Sequence, residues 1–236
     1  MSLDNWIMSK PKEDRHLIAK TISEIQDVFK DLEQKKYLRT TLRSEERKHF
    51  PEILRTFDGL SHAFSMLFNI PFNNETFVRG RSREFVEHNK KYGFNENGYV
   101  NLLLSESLSE FLRNAELFRC CFLFVLETDK CREEKRERCP FFKTMTLGRL
   151  LDQLESVCES KGKKVRDMID VNLRNALTHG LVWLEGCHLH YSKDITFSKE
   201  ARDKIRLDRL WEKASYQDKV TQCLIQTIAD WYHLTE

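Results

Sequence analysis

The stretch that decides the fold is residues 163–191, KKVRDMIDVNLRNALTHGLVWLEGCHLHY. Up to Gly180 its apolar residues keep a helical rhythm. Val165, Met168, Ile169, Leu173, Ala176 and Leu177 recur at steps of three and four, which predicts one helix beginning near Lys163. Gly180 stands where such a helix should stop, because glycine adopts the left-handed closing conformation without steric cost. Beyond it the period shortens to two. The run LVWL, the pair Glu185-Gly186 and the run CHLHY predict a small β-hairpin over 181–191.

Outward from this stretch, the chain reads as further helices. Residues 13–35 place Leu17, Ile18, Ile22, Ile25, Val28, Phe29 and Leu32 on one stripe. Residues 44–69 do the same with Phe50, Ile53, Leu54, Phe57, Leu60, Phe64 and Leu67, and Pro51 is expected near the start, where proline is tolerated. NIPFNNE (69–75) is a loop, 80–90 a short charged helix, and GFNENG (93–98) a turn. Residues 100–128 form a long helix whose second half, around LFRCCFLFVL (117–126), is apolar almost all round and so is expected at the centre of the core. DKCREEKRERCP (129–140) is a solvated connection, TLGRLLDQLESV (146–157) a helix, and 216–234 the last helix. The expected class is all-α: a helical bundle with a small β-hairpin after the motif helix. The expected division is an N-terminal helical region, 1–95, packed on a C-terminal helical domain, 96–236.

Composition agrees with a globular, helix-rich protein: 236 residues, 32% charged, 40% hydrophobic, with only 8 Gly and 4 Pro. The net charge of +2 permits nucleic-acid binding without demanding it. The N-terminus MSLDNWIMSKPKED is too polar for a signal peptide, and 117–126 is too short to span a bilayer and contains Arg119, so the expected location is the cytoplasm, with no membrane. The seven cysteines are then expected as thiols. Cys120-Cys121 read as core residues, and Cys131 and Cys139 fit no common zinc spacing. No phosphate-binding glycine loop or metal-protease helix is present, and neither metal nor cofactor is expected.

The chemistry concentrates at residues 174–180, RNALTHG. At about 100° per residue, Arg174 lies roughly opposite the apolar stripe, Asn175 and Thr178 lie on the flank, and His179 lies at its edge. Asn175 and His179 are i, i+4 neighbours that could hydrogen-bond. Arginine presents a planar fork to phosphate, and an imidazole can give or take a proton near neutral pH. RNA carries its own nucleophile, the 2′-hydroxyl, so these two groups are a minimal set for its cleavage without a metal. The residues alone leave a second reading open, in which His179 caps carbonyls and Arg174 pairs with a carboxylate. Lys161, Lys163, Lys164 and Arg166, at the start of the expected motif helix, are candidate contacts to an RNA backbone or a solvated helix start. Cys187, His188 and His190 are close in sequence, but alternation separates Cys187 from the two histidines, which argues against a metal. Arg113-Asn114 has no histidine in register and reads as structural.

Arg174-Asn175-Ala176-Leu177-Thr178-His179, closing a helix and followed by glycine, a hairpin and a last helix, resembles the Arg-polar-x3-His signature of HEPN domains (higher eukaryotes and prokaryotes nucleotide-binding). The resemblance covers about residues 100–236. It implies a helical bundle that forms a homodimer with the motif helices facing each other. It also implies a metal-independent endoribonuclease in which Arg174 and His179 are catalytic and Asn175 orients them. It implies RNA as substrate and a role as a toxin or phage-defence effector, paired with an antitoxin or defence-system protein. Other members of this family are non-catalytic modules that bind a partner protein or nucleotide.

Overall fold

The computed structural model describes residues 3–67, 96–127, 140–185, 188–196 and 198–234. The loop expected at 69–75, the helix at 80–90, Cys131, Cys139 and Cys187 lie outside the described residues, as does nearly all of the connection at 129–140. Among the described residues are seven helices: α1 (Leu3–Met8), α2 (Lys12–Gln34), α3 (Ser44–Leu67), α4 (Glu96–Val125), α5 (Leu147–Asp167), α6 (Val171–Thr178) and α7 (Leu207–Trp231). Three short strands, β1 (Val182–Glu185), β2 (His188–Ser192) and β3 (Arg202–Arg206), form an antiparallel sheet in the order β1-β2-β3. The protein is thus mostly helical, with a sheet one strand larger than the expected hairpin.

Contacts group the chain into two compact units. One comprises Met1–Thr56, Asn114–Ile169 and Gln217–Glu236; the other comprises Phe57–Arg113 and Asp170–Tyr216. Both are discontinuous in sequence.

The first unit is built on aromatic packing. The stripe of α2 buries Ile18, Ile22, Ile25, Val28, Phe29 and Leu32. Phe29 meets Phe122 and Trp231 edge-on, with ring centroids 5.8 and 5.5 Å apart, a geometry that sets ring edge against ring face. The second half of α4 is buried nearly all round, through Ala115, Leu117, Phe118, Cys121, Phe122 and Val125. Arg119 is accommodated within this run because Glu116 accepts from it at 2.8 Å and the Met145 carbonyl at 3.1 Å. Burial pushes the Cys121 thiol far up, and those of Cys158 and Cys223 up to about 11 and 12, so these cysteines are protonated core residues. Helix α3 begins at Ser44, as expected, and Pro51 lies inside it, seven residues on. Proline there forgoes one backbone hydrogen bond and crowds the preceding turn.

Helix α5 does not run straight. Thr146 caps it by accepting from the Arg149 N–H, and at Glu159 the backbone turns through φ 51°, ψ −125°. Arg166 then reaches Asp152 at 3.0 Å and Glu155 at 2.6 Å. Those residues precede it by 14 and 11 positions, about 21 and 16 Å along a straight helix. The chain therefore doubles back at Glu159. Gly162 makes the corner, since a Cβ there would stand 2.0 Å from the Leu154 carbonyl oxygen.

The second unit holds α6 and the sheet. Leu173, Ala176 and Leu177 of α6 pack with Leu108, Phe111 and Leu112 of α4, with Leu189 and Tyr191 of β2, and with Leu207, Leu210 and Ala214 of α7. The helix expected to run from Lys163 to His179 is two helices. Its backbone leaves the helical region at Asp170 (φ −81°, ψ 84°), whose carboxylate accepts from the Leu173 N–H at 2.9 Å and starts α6 afresh. A short acidic side chain satisfies one of the exposed N–H groups of a new helix, which a continuous helix would not need. Helix α7 begins nine residues before the expected 216, because Leu207, Leu210 and Ala214 extend its buried stripe upstream.

Candidate functional site

The candidate site residues Arg174, Asn175 and His179 all belong to α6 and its end, within the second unit. Helix α6 has eight residues, too short to persist by itself, so both of its ends are fixed by specific bonds. At the start, Asp170 caps the helix and also forms a close ion pair with Lys213 of α7. At the far end, the Leu181 N–H donates to the Ala176 carbonyl at 2.8 Å and the Gly180 N–H to Leu177 at 3.4 Å. Gly180 has φ 68°, and Leu181 packs back on the core, so the end is a Schellman closure. His179 is the last residue before the glycine, and this closure fixes its backbone.

The side chains sort by depth. The half-buried Arg174 donates from Nη1 to Asn175 Oδ1 at 3.1 Å, and its carbonyl accepts from Thr178 Oγ1 at 2.9 Å. The His179 backbone N–H donates to the Asn175 carbonyl at 3.0 Å, while its imidazole is exposed. The expected i, i+4 contact between Asn175 and His179 is therefore a main-chain bond, and the Asn175 side-chain oxygen serves Arg174 instead.

The four other candidate cations lie in the first unit, on the returning arm of α5. Lys161 pairs with Asp31 at 2.5 Å, and Arg166 with Asp152 and Glu155. Hydrogen bonding from Lys161 holds the Asp31 carboxyl below its ordinary value. Lys163 and Lys164 are exposed. Asn114 is buried and its carbonyl accepts from Thr221 at 3.2 Å, in keeping with a structural Arg113-Asn114 pair.

His188 and His190 do share one face of β2, with ring centroids 6.1 Å apart. Trp183 of β1 stacks on His190 at 5.4 Å and 26°. Among the described residues no group of three His, Cys, Asp or Glu side chains could hold a metal ion, and no helix is long and apolar enough to cross a membrane.

Three participants escaped the sequence reading. Asp170 and Lys213 pin α6, and the spacing Asp170-x-x-Leu173 ahead of an apolar stripe is a cap signal that could have found the first. Tyr191 is buried beneath the sheet. Burial, with the charges of Asp170 and Asp203 and its hydrogen bond to Asp203, drives its phenol well above the ordinary value. It is a neutral donor at any physiological pH.

Set against known proteins, the chain matches no protein-family model, no curated protein and no solved structure. The HEPN likeness therefore rests on residues 174–180 and the order of elements around them.

Proposed function

We propose that the chain is a HEPN-type endoribonuclease that cleaves RNA without a metal, acting in the cytoplasm as a homodimer. The observation that carries the reading is the end of α6: an exposed His179 held by a Schellman closure, five residues from a guanidinium that donates to Asn175. In this reading His179 takes the proton from the RNA 2′-hydroxyl. The 2′-oxygen bonds to phosphorus, and the bond from phosphorus to the 5′-oxygen breaks. The same residue of a second copy, carrying a proton, delivers it to the departing 5′-oxygen. Arg174 stabilises the charge that develops on the phosphoryl oxygens. The products are a 2′,3′-cyclic phosphate and a 5′-hydroxyl. A second copy is invoked because five residues at about 100° each set Arg174 and His179 roughly 140° apart around a helix, too far round for one helix to converge them on one phosphate. As a toxin or phage-defence effector, such an enzyme would be held in check by a partner protein.

The test is cleavage of single-stranded RNA by the full chain in the presence of EDTA. His179→Ala should lower the rate at least about 100-fold with an unchanged circular dichroism spectrum, since the ring is exposed. Undiminished cleavage by that variant would overturn the reading.

A non-catalytic binding or regulatory module is the second reading. The hydrogen bond from Arg174 to Asn175 favours it, because a guanidinium so engaged and half-buried also serves as a structural tie. A stable complex with a partner protein, and no RNA cleavage at micromolar protein, would mark that case.

A further inference from the structure

The three-stranded sheet has two unlike faces. Register pairs Trp183 with His190 and His190 with Lys204; His188 pairs with Arg206, and Ser192 with Arg202. Residues that pair directly across antiparallel strands share a face. The core-side face carries Val182, Leu189, Tyr191 and Ile205, which pack with α6 and its neighbours. The outer face therefore carries Trp183, His188 and His190, flanked by Arg202, Lys204 and Arg206 on the edge strand β3. All three of those cations are exposed. Asp203 falls on the opposite side, where it meets Tyr191 and pairs with Lys193 at 3.6 Å.

We propose that this face binds single-stranded RNA, the bases stacking on the Trp183–His190 platform and the phosphates running along Arg202, Lys204 and Arg206. The pattern is what single-strand binding requires: flat aromatic surface for bases of any identity, beside a line of cations for the backbone. Alternate residues of a strand repeat at about 6.8 Å, a spacing that suits successive phosphates of an extended strand. The Arg202 guanidinium already lies 5.9 Å from the Trp183 ring, so charge and stacking surface are continuous. Trp183 follows His179 by four residues, which limits the path between them to about 14 Å. A few nucleotides would bridge the sheet face and the end of α6. The choice of RNA rests on the proposed nuclease reading; the shape and charge of the face do not.

The test is fluorescence anisotropy of a labelled 12-nucleotide oligouridylate with full-length protein carrying His179→Ala, so that binding is read without cleavage. Joint replacement Arg202→Gln, Lys204→Gln and Arg206→Gln should weaken binding about tenfold or more. It should also reduce the slope of log affinity against log salt by about 2, from three lost phosphate contacts. Trp183→Leu should weaken binding about tenfold, and Trp183→Phe should retain most of it, which separates stacking from a folding defect. Charge-matched polyglutamate should compete poorly. The proposal is overturned if the His179→Ala protein does not bind the oligomer at low salt, if the face variants bind as it does, or if polyglutamate competes equally. Cleavage that depends on His179 while the face variants bind normally would leave the nuclease reading standing and remove this one. RNA binding that depends on the face, by a protein that cleaves nothing, would do the reverse.

Discussion

Residues 161–166 carry Lys161, Lys163, Lys164 and Arg166; residues 202–206 carry Arg202, Lys204 and Arg206. As sequence, the first cluster is the denser and the more suggestive of a nucleic-acid contact. In the structure its members spread around a helix, and two of them are engaged by carboxylates, Lys161 by Asp31 and Arg166 by Asp152 and Glu155. The second cluster lies on a strand, where a period of two aligns every other residue on one side. It sends all three cations to one face and Asp203 to the other. The difference teaches that the number of cations in a window matters less than the period of the backbone that carries them.

The contrast can be attacked first on the helix side, where the largest effect is expected. Gly162→Ala drives a Cβ into the Leu154 carbonyl, and backbone, unlike a flexible side chain, has little room to yield. The variant should lose about 3 kcal/mol in urea unfolding, or fail to fold, as the corner that brings Arg166 to Asp152 and Glu155 opens. A variant as stable as the parent would show that α5 does not double back as described.

The next test isolates the sheet side. Asp170→Ala removes the cap of α6 and the partner of Lys213 together. A stability loss of about 1–2 kcal/mol is expected by chemical denaturation. Affinity for single-stranded RNA should stay unchanged where the protein remains folded, because Asp170 is not on the sheet's outer face. A matching fall in affinity would mean that the cations of β3 depend on the α6 cap.

The smallest effect concerns the acid partner of Lys161. The folded Asp31 carboxyl sits below its ordinary value, so the stability it contributes is present above the unfolded value and is lost as pH falls through the folded one. Asp31→Asn should therefore lower the melting temperature slightly at pH 7 and not at all in strong acid. Thermal melts of both proteins across that range check the sign. A difference that persisted in strong acid would assign Asp31 a role other than charge pairing.

The sequence by itself determined the predominance of helix, the stripe of α2, the buried second half of α4, the stop at Gly180 and the shift to strand beyond it. Each of these is a local periodicity or a local backbone preference, and each is written within a few neighbouring residues. It also placed His188 and His190 on one face, because alternation needs only the strand. Tertiary structure decided the rest. The apolar residues from Val165 to Leu177 keep one rhythm, yet the helix breaks at Asp170, since Val165 and Leu173 serve the cores of different units. Residues 202–206 show only Ile205 as an apolar signal, and they become a strand because β2 offers a ladder to pair with. The reversal at Glu159 carries no turn residue at that position, and only the close approach of Gly162 to Leu154 reveals why it occurs there. At the site, spacing alone put Arg174, Asn175 and His179 on one short helix end. Which of them is exposed, and that Asn175 serves Arg174, follows from packing, because depth is set by what covers a helix and not by the order of its residues.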